Sequence, residues 1–275
     1  MAVRTLILLL LTSQCASDTD VESILVHKQS VESSFRAWMS SRNVEFLRQA
    51  IAQQQTVQNI VPNDFEANFL LANMIYMHES LDNDAIRFAT RAVKLNPGNA
   101  KGLKLLGRIF VQHGKLKRGL KYLERSLVSQ SNDAECWYKA GAAYFELNDL
   151  QRASQCFITA AHLSGDAYYW LTAAHTANKL SKPNAFHLYW ASVRADPSMV
   201  DAWSDLAFAL STQQRHQLAE RAARKAFALA PSEANLFAVG NHLLSQGRTS
   251  EAAGVLERAW RGDPSAADAA HNLGF

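Results

Sequence analysis

The sequence predicts an all-α chain built as a stack of antiparallel helix pairs. Three observations point there. Small and aromatic residues recur about every 34 residues, prolines follow the second helix of several units, and no segment shows the two-residue alternation of a half-buried strand. Composition agrees, since 48% of the 275 residues are apolar and a wholly disordered polymer is excluded. Lysine plus arginine exceed aspartate plus glutamate by only 28 to 25. The net charge of +3 therefore gives no general reason to expect nucleic acid, and any electrostatic preference must be local.

At the start, Arg4 precedes an unbroken apolar run from Leu6 to Leu11, followed by small and polar residues from Thr12 to Ser17. That order is the pattern of a cleaved export leader over residues 1–17, or to residue 15, and the run is far short of the roughly 20 residues a membrane span needs. It predicts an exported chain, periplasmic or secreted. Membrane attachment would require lipidation of Cys15, making an outer-membrane lipoprotein, but Gln14 and Thr12 fit that pattern poorly. Cys136 and Cys156 remain in the mature chain, either as a pair or as separate small apolar residues.

Residues 18–64 predict a degenerate N-terminal helix pair acting as a cap. Its helices are joined near Arg42 and Asn43, its apolar face is supplied by Phe35, Trp38, Phe46, Leu47 and Ala50, and Pro62 ends it. Six repeats follow at 65–99, 100–133, 134–166, 167–199, 200–232 and 233–266, and a truncated seventh occupies 267–275. Prolines 97, 197, 231 and 264 stand just past second helices, where a residue lacking an N–H cannot continue the helix. Small residues recur where the two helices of a pair must approach: Gly107 with Gly119, Gly141 with Ala153, Ala207 with Ala219, Gly240 with Ala252. The unfinished end near Leu273 suggests either a continuing chain or a surface for self-association.

The unit from Ala134 carries Trp137, Gly141, Tyr144, Ala153, Phe157 and Ala160, with Ala140 in place of the usual leucine. In these residues the chain resembles the tetratricopeptide repeat family. The resemblance implies a right-handed α-solenoid whose inner wall is made by the first helix of each pair, a concave groove for a peptide or partner protein. Transferred residue by residue, groove positions fall on Phe69, Asn73 and Tyr76, then Lys101, Lys104 and Arg108, then Tyr138, Lys139 and Phe145. Later repeats place His175, Asn178, Asp201, Asp205, Phe208, Phe237 and Asn241 there. Lys101, Lys104 and Arg108 share one helical face, and with Lys139 they form a cationic strip suited to an acidic segment; a merely solvated basic face is the plain alternative. Some members of the family clamp a terminal carboxylate with lysine and asparagine, and Asn73 matches such a position whereas Phe69 departs from it.

Nothing in the spacing suggests catalysis, a metal or a cofactor. His-Glu-x-x-His, Gly-x-Ser-x-Gly, the phosphate-loop pattern and Cys-x-x-Cys are all missing. Trp137, Trp170 and Trp203 repeat at one position of the unit, which assigns them to packing rather than to a ladder for sugars or bases. The expectation is a non-catalytic binding scaffold without nucleic acid, in envelope assembly or secretion. The competing reading is the recognition arm of a longer glycosyltransferase, sulfotransferase or peptidase.

Overall fold

The computed structural model describes residues 18–78, 83–181 and 185–262. The proposed leader with Cys15, Pro264 and the expected half repeat at 267–275 lie outside them. Among the described residues there are fourteen α-helices and no strand. The chain divides into two compact units, Met1–Leu147 and Asn148–Phe275.

The first unit contains α1 (Asp18–Ser41), α2 (Val44–Ile60), α3 (Phe65–His78), α4 (Asn83–Leu95), α5 (Ala100–Gln112), α6 (Leu116–Ser129) and α7 (Ala134–Glu146). Consecutive helices pack against each other, and the first helices α3, α5 and α7 are also neighbours. In the N-terminal pair Leu47 and Ala50 are buried as expected, while Phe35 and Trp38 pack beside that core half-buried, with ring centroids 5.2 Å apart. As deep as Ala50 are residues that periodicity did not single out: Ile24, Val57 and Gln54, whose side-chain amide donates to the Ala67 carbonyl at 3.2 Å. The next two pairs share a core of Leu71, Ile75, Ala89, Leu103, Leu106 and Ile109.

The second unit contains α8 (Leu150–Ser164), α9 (Ala167–Lys179), α10 (Ala185–Ala195), α11 (Val200–Thr212), α12 (His216–Leu229), α13 (Glu233–Leu244) and α14 (Thr249–Gly262). One core runs through α9 to α14 and includes Leu171, Tyr189, Leu206, Leu210, Val239 and Leu243.

Local chemistry sets the helix ends. The side chains of Asn43, Asn99, Asp133, Asp149, Asp166 and Ser232 each accept a backbone N–H of the turn they open, which satisfies donors that the helix itself cannot. Pro62, Pro97, Pro197 and Pro231 each stand two residues past a helix that ends at Ile60, Leu95, Ala195 or Leu229. Turns inside the pairs need a left-handed residue. Gly114 (φ 70°) and Gly247 (φ 73°) supply it without strain, but Asn148, Ser181 and Gln214 hold φ values of 51° to 60° in the corresponding turns. Behind these residues the chain closes back on the helix, as in Lys115 N–H to Phe110 O at 2.9 Å and Arg215 N–H to Leu210 O at 3.0 Å.

The small-residue contacts have a steric cause. A Cβ on Gly119 would lie 2.6 Å from a Val111 methyl and 2.8 Å from the Gly107 carbonyl oxygen, so these two glycines let α5 and α6 touch backbone to backbone. Gly240 sits as Gly107 does, against the leucine one turn past the small residue of the second helix: a Cβ would lie 2.5 Å from Leu256 at Gly240 and 2.8 Å from Leu123 at Gly107. Ala207 and Ala219 are both buried in the second unit's core, and Gly141 is buried in α7.

Candidate functional site

The first unit brings the predicted site residues onto three neighbouring helices: Phe69, Asn73 and Tyr76 on α3, Lys101, Lys104 and Arg108 on α5, Tyr138 and Lys139 on α7. All are half-buried except Lys101, which is exposed. Phe69 stacks on Phe65, with centroids 5.7 Å apart. Arg108 places its guanidinium 5.3 Å from the Tyr76 ring centroid, and the Lys139 ammonium lies 5.9 Å from that of Tyr138.

The strip is not an open row of charges. Lys104 Nζ is 2.8 Å from Asp133 and 3.2 Å from Glu135, and Arg108 is 3.1 Å from Glu135. Asp133 acts twice: one carboxylate oxygen accepts the Cys136 N–H at 2.9 Å and caps α7, while the other faces Lys104. Burial works against the charge of both partners. Their mutual hydrogen bond, with the field of Glu135 on the lysine and the Cys136 N–H on the aspartate, outweighs it, so Lys104 titrates above its ordinary value and Asp133 below. Arg108 Nε is buried without a hydrogen-bond partner. Four cations therefore face two carboxylates, a smaller excess than the basic residues alone suggested. Sequence reasoning missed Asp133, whose capping role has a local signal but whose second role depends on α5 and α7 being adjacent.

In the second unit, His175 and Asp205 meet at 2.6 Å, both on their helices' exposed faces. Phe208, 64% exposed, and Asn241 share a cleft of about 460 Å³ between α11, α12 and α13. Asn178 and Asp201 are exposed, and Phe237 is half-buried. Sequence reasoning missed a tighter cluster. Glu220 of α12, 8% exposed, accepts from Arg224 and Arg248 at 2.8 Å each and from the Gln246 amide at 2.8 Å. Burial raises its pKa, but these donors together bring it below the ordinary glutamate value.

The tryptophans serve as half-buried braces. Trp137 donates its indole N–H to the Ser131 carbonyl at 2.8 Å and Trp203 to Pro197 at 2.9 Å, each tying its helix to the loop before it. Trp170 instead meets His162 edge-on at 4.6 Å. Cys136 and Cys156 are both buried and are not joined in a disulfide; desolvation, followed by the nearby Asp133 charge, pushes Cys136 up to about 11. Among the described residues no group of three His, Cys, Asp or Glu side chains is placed to hold a metal, and no helix is long and apolar enough to cross a membrane.

Comparison with known proteins places this geometry in a wider group. Residues 77–160 match the family model described as "Anaphase-promoting complex, cyclosome, subunit 3". A curated relative, tetratricopeptide repeat-containing protein trd-1 of Caenorhabditis elegans, is 25% identical over 124 residues; the match covers 44% of this chain and 16% of that protein. Among solved structures, YrrB, described as a TPR protein with an unusual peptide-binding site, superposes with a TM-score of 0.59 at 18% identity, covering 68% of this chain and 98% of its own. A tetratricopeptide repeat protein from Parabacteroides merdae gives 0.55 at 15% identity over 86% of this chain and 93% of its own. With its helix pairs, its repeated braces and turns and these likenesses, the chain has the tetratricopeptide repeat fold.

Proposed function

We propose that the chain is a non-catalytic protein–protein interaction scaffold, and that a peptide or exposed segment of a partner docks on the first-helix face of α3, α5 and α7. One observation carries this reading: Arg108, held at Glu135 and lying over Tyr76, forms a fixed cation–aromatic wall on the same face as Lys101 and Lys139, which have no carboxylate partner among the described residues. Side chains already held in place lose less freedom when a ligand arrives, and their ordering cost is not charged against affinity. Phe69, Asn73, Tyr76 and Tyr138 offer contact area and polar ends, while Lys101, Lys104, Arg108 and Lys139 favour a segment carrying acidic groups. Such a segment competes with Glu135 for Lys104 and Arg108. The printed description of YrrB supplies a precedent for peptide binding on this fold, at the level of fold alone. Export, and a place in envelope assembly or secretion, belong to the same proposal and rest on the apolar run of residues 6–11.

The test compares partners retained from a native extract by the wild type and by Lys101→Glu/Lys139→Glu. Both positions lack ion-pair partners, so the helices stay intact. Loss of a partner from the variant supports this face as the docking surface, and equal retention removes it.

A further inference from the structure

The basic residues of the first unit are unevenly distributed. From Arg87 to Arg125 the sequence holds eleven lysines and arginines and a single carboxylate, Glu124. Two of those cations, Lys104 and Arg108, are countered by Asp133 and Glu135, and Arg87 is 3.4 Å from Asp84. The second helices α4 and α6 carry a different set. Arg91, Lys94, Lys117, Arg118, Lys121 and Arg125 are all exposed, and none has a carboxylate partner among the described residues. Arg91 donates only to the neutral Asn63 side chain at 3.1 Å, and Arg125 only to the Pro97 carbonyl at 3.1 Å, which also ties α6 to the turn that ends α4. Beside α4 a cleft of about 700 Å³ opens toward α2, with Arg87, Arg91 and Lys94 on one wall and the polar side chains of Gln58, Asn59 and Thr90 around it.

We propose that this second-helix face is a separate docking surface, and that an acidic segment of a partner protein seats in the α2–α4 cleft with its carboxylates on Arg91 and Lys94 and its continuation along α6. Charge complementarity selects the sign of the partner, and the concave cleft, where Phe88 and Pro62 stand among the polar side chains, accommodates the backbone and side chains of a polypeptide with discrete carboxylates. A bilayer is disfavoured because Leu95 and Val128 are the only exposed large apolar residues of α4 and α6, and stable interfacial binding needs a broader apolar stripe. Single-stranded nucleic acid is disfavoured because Phe88 is buried and Tyr122 is stacked on Phe110, so neither ring offers a free face to a base.

The experiment measures fluorescence anisotropy of a labelled oligoglutamate peptide titrated with the full chain at low salt, with oligoglutamine as the neutral probe. Arg91→Glu/Lys94→Glu is expected to weaken oligoglutamate binding about tenfold or more, with Arg91→Gln/Lys94→Gln intermediate, and affinity falls as salt rises. Lys101→Glu/Lys139→Glu, on the first-helix face, is expected to weaken it several-fold less than Arg91→Glu/Lys94→Glu, with the gap widening as added salt screens charges that do not touch the peptide. This separates the inference from the first-helix reading, which fails or stands on its own variant. Equal binding by the Arg91/Lys94 variants overturns the proposal. So does loss only in the Lys101/Lys139 variant, or binding to phosphatidylserine vesicles with none to oligoglutamate.

Discussion

Two charged clusters, one in each unit, join successive helix pairs by opposite means. In the first unit cations on α5 reach to Asp133 and Glu135 of the following pair, with Lys104 still 23% and Glu135 41% exposed at their side chains. In the second unit a carboxylate, Glu220, is enclosed by Arg224, Arg248 and Gln246 and is 10% exposed at its side chain. The difference teaches which cluster holds the fold and which remains available to a partner. An ion pair whose acidic member is open to water can be exchanged for a ligand's groups at little cost, whereas removing a nearly buried carboxylate takes away the acceptor that three side chains share.

The sharpest way to break that comparison is Glu220→Ala, expected to cost about 2–3 kcal/mol in urea unfolding because a nearly buried acceptor shared by Arg224, Arg248 and Gln246 is lost, Arg248 keeping Glu251 and Gln246 the His242 carbonyl. A cost below about 1 kcal/mol, the range of a surface pair, would show that the cluster is no tighter than an exposed one. Gly119→Ala comes next, at about 2 kcal/mol, since the added carbon meets the Gly107 carbonyl and Val111 and backbone cannot yield as a side-chain tip can.

Asp133→Asn is smaller, at about 1 kcal/mol, because asparagine still caps α7 and Lys104 keeps only the longer contact to Glu135. Its pH dependence has a defined sign. Asp133 titrates below its ordinary value in the folded chain, so its contribution is present above about pH 4 and is lost as pH falls through the folded value. Lys104 titrates above 10.5, so its share is lost only as pH rises through that higher value. The wild type should therefore keep its advantage over Asp133→Asn near neutrality and lose it in acid; an advantage that grows as pH falls contradicts the assignment. Gln214→Gly has the smallest effect and the opposite direction. Relief of a left-handed glutamine should raise stability by about 0.5 kcal/mol after the entropy cost of glycine, read as a small rise in thermal midpoint.

Much of this fold is written in local spacing. Gly107 and Gly119, the prolines past the second helices and the tryptophan positions all follow from a period close to 34 residues, because each describes the inside of one unit. Three features are not local. Asn148, Ser181 and Gln214 adopt a left-handed turn that glycine usually marks, so a sequence scan for glycine passes over them. The pairing of Lys104 with Asp133, and of Glu220 with Arg248, spans neighbouring pairs and depends on which rotamers meet there. The Gln54 amide reaching the Ala67 carbonyl likewise joins the first pair to the next. The candidate site was legible as a set of residues on one face; its internal neutralisation was not.

Photocrosslinking tests the docking claim most directly. A photoreactive phenylalanine analogue at position 76, on the first-helix face, is irradiated in native extract and compared with the same group at position 39 on α1, where Met39 is 50% exposed. The account predicts a discrete protein adduct from position 76, diminished by Lys101→Glu/Lys139→Glu, and none from position 39. Adducts at position 39 alone, or an adduct from position 76 that ignores the charge reversal, would contradict it.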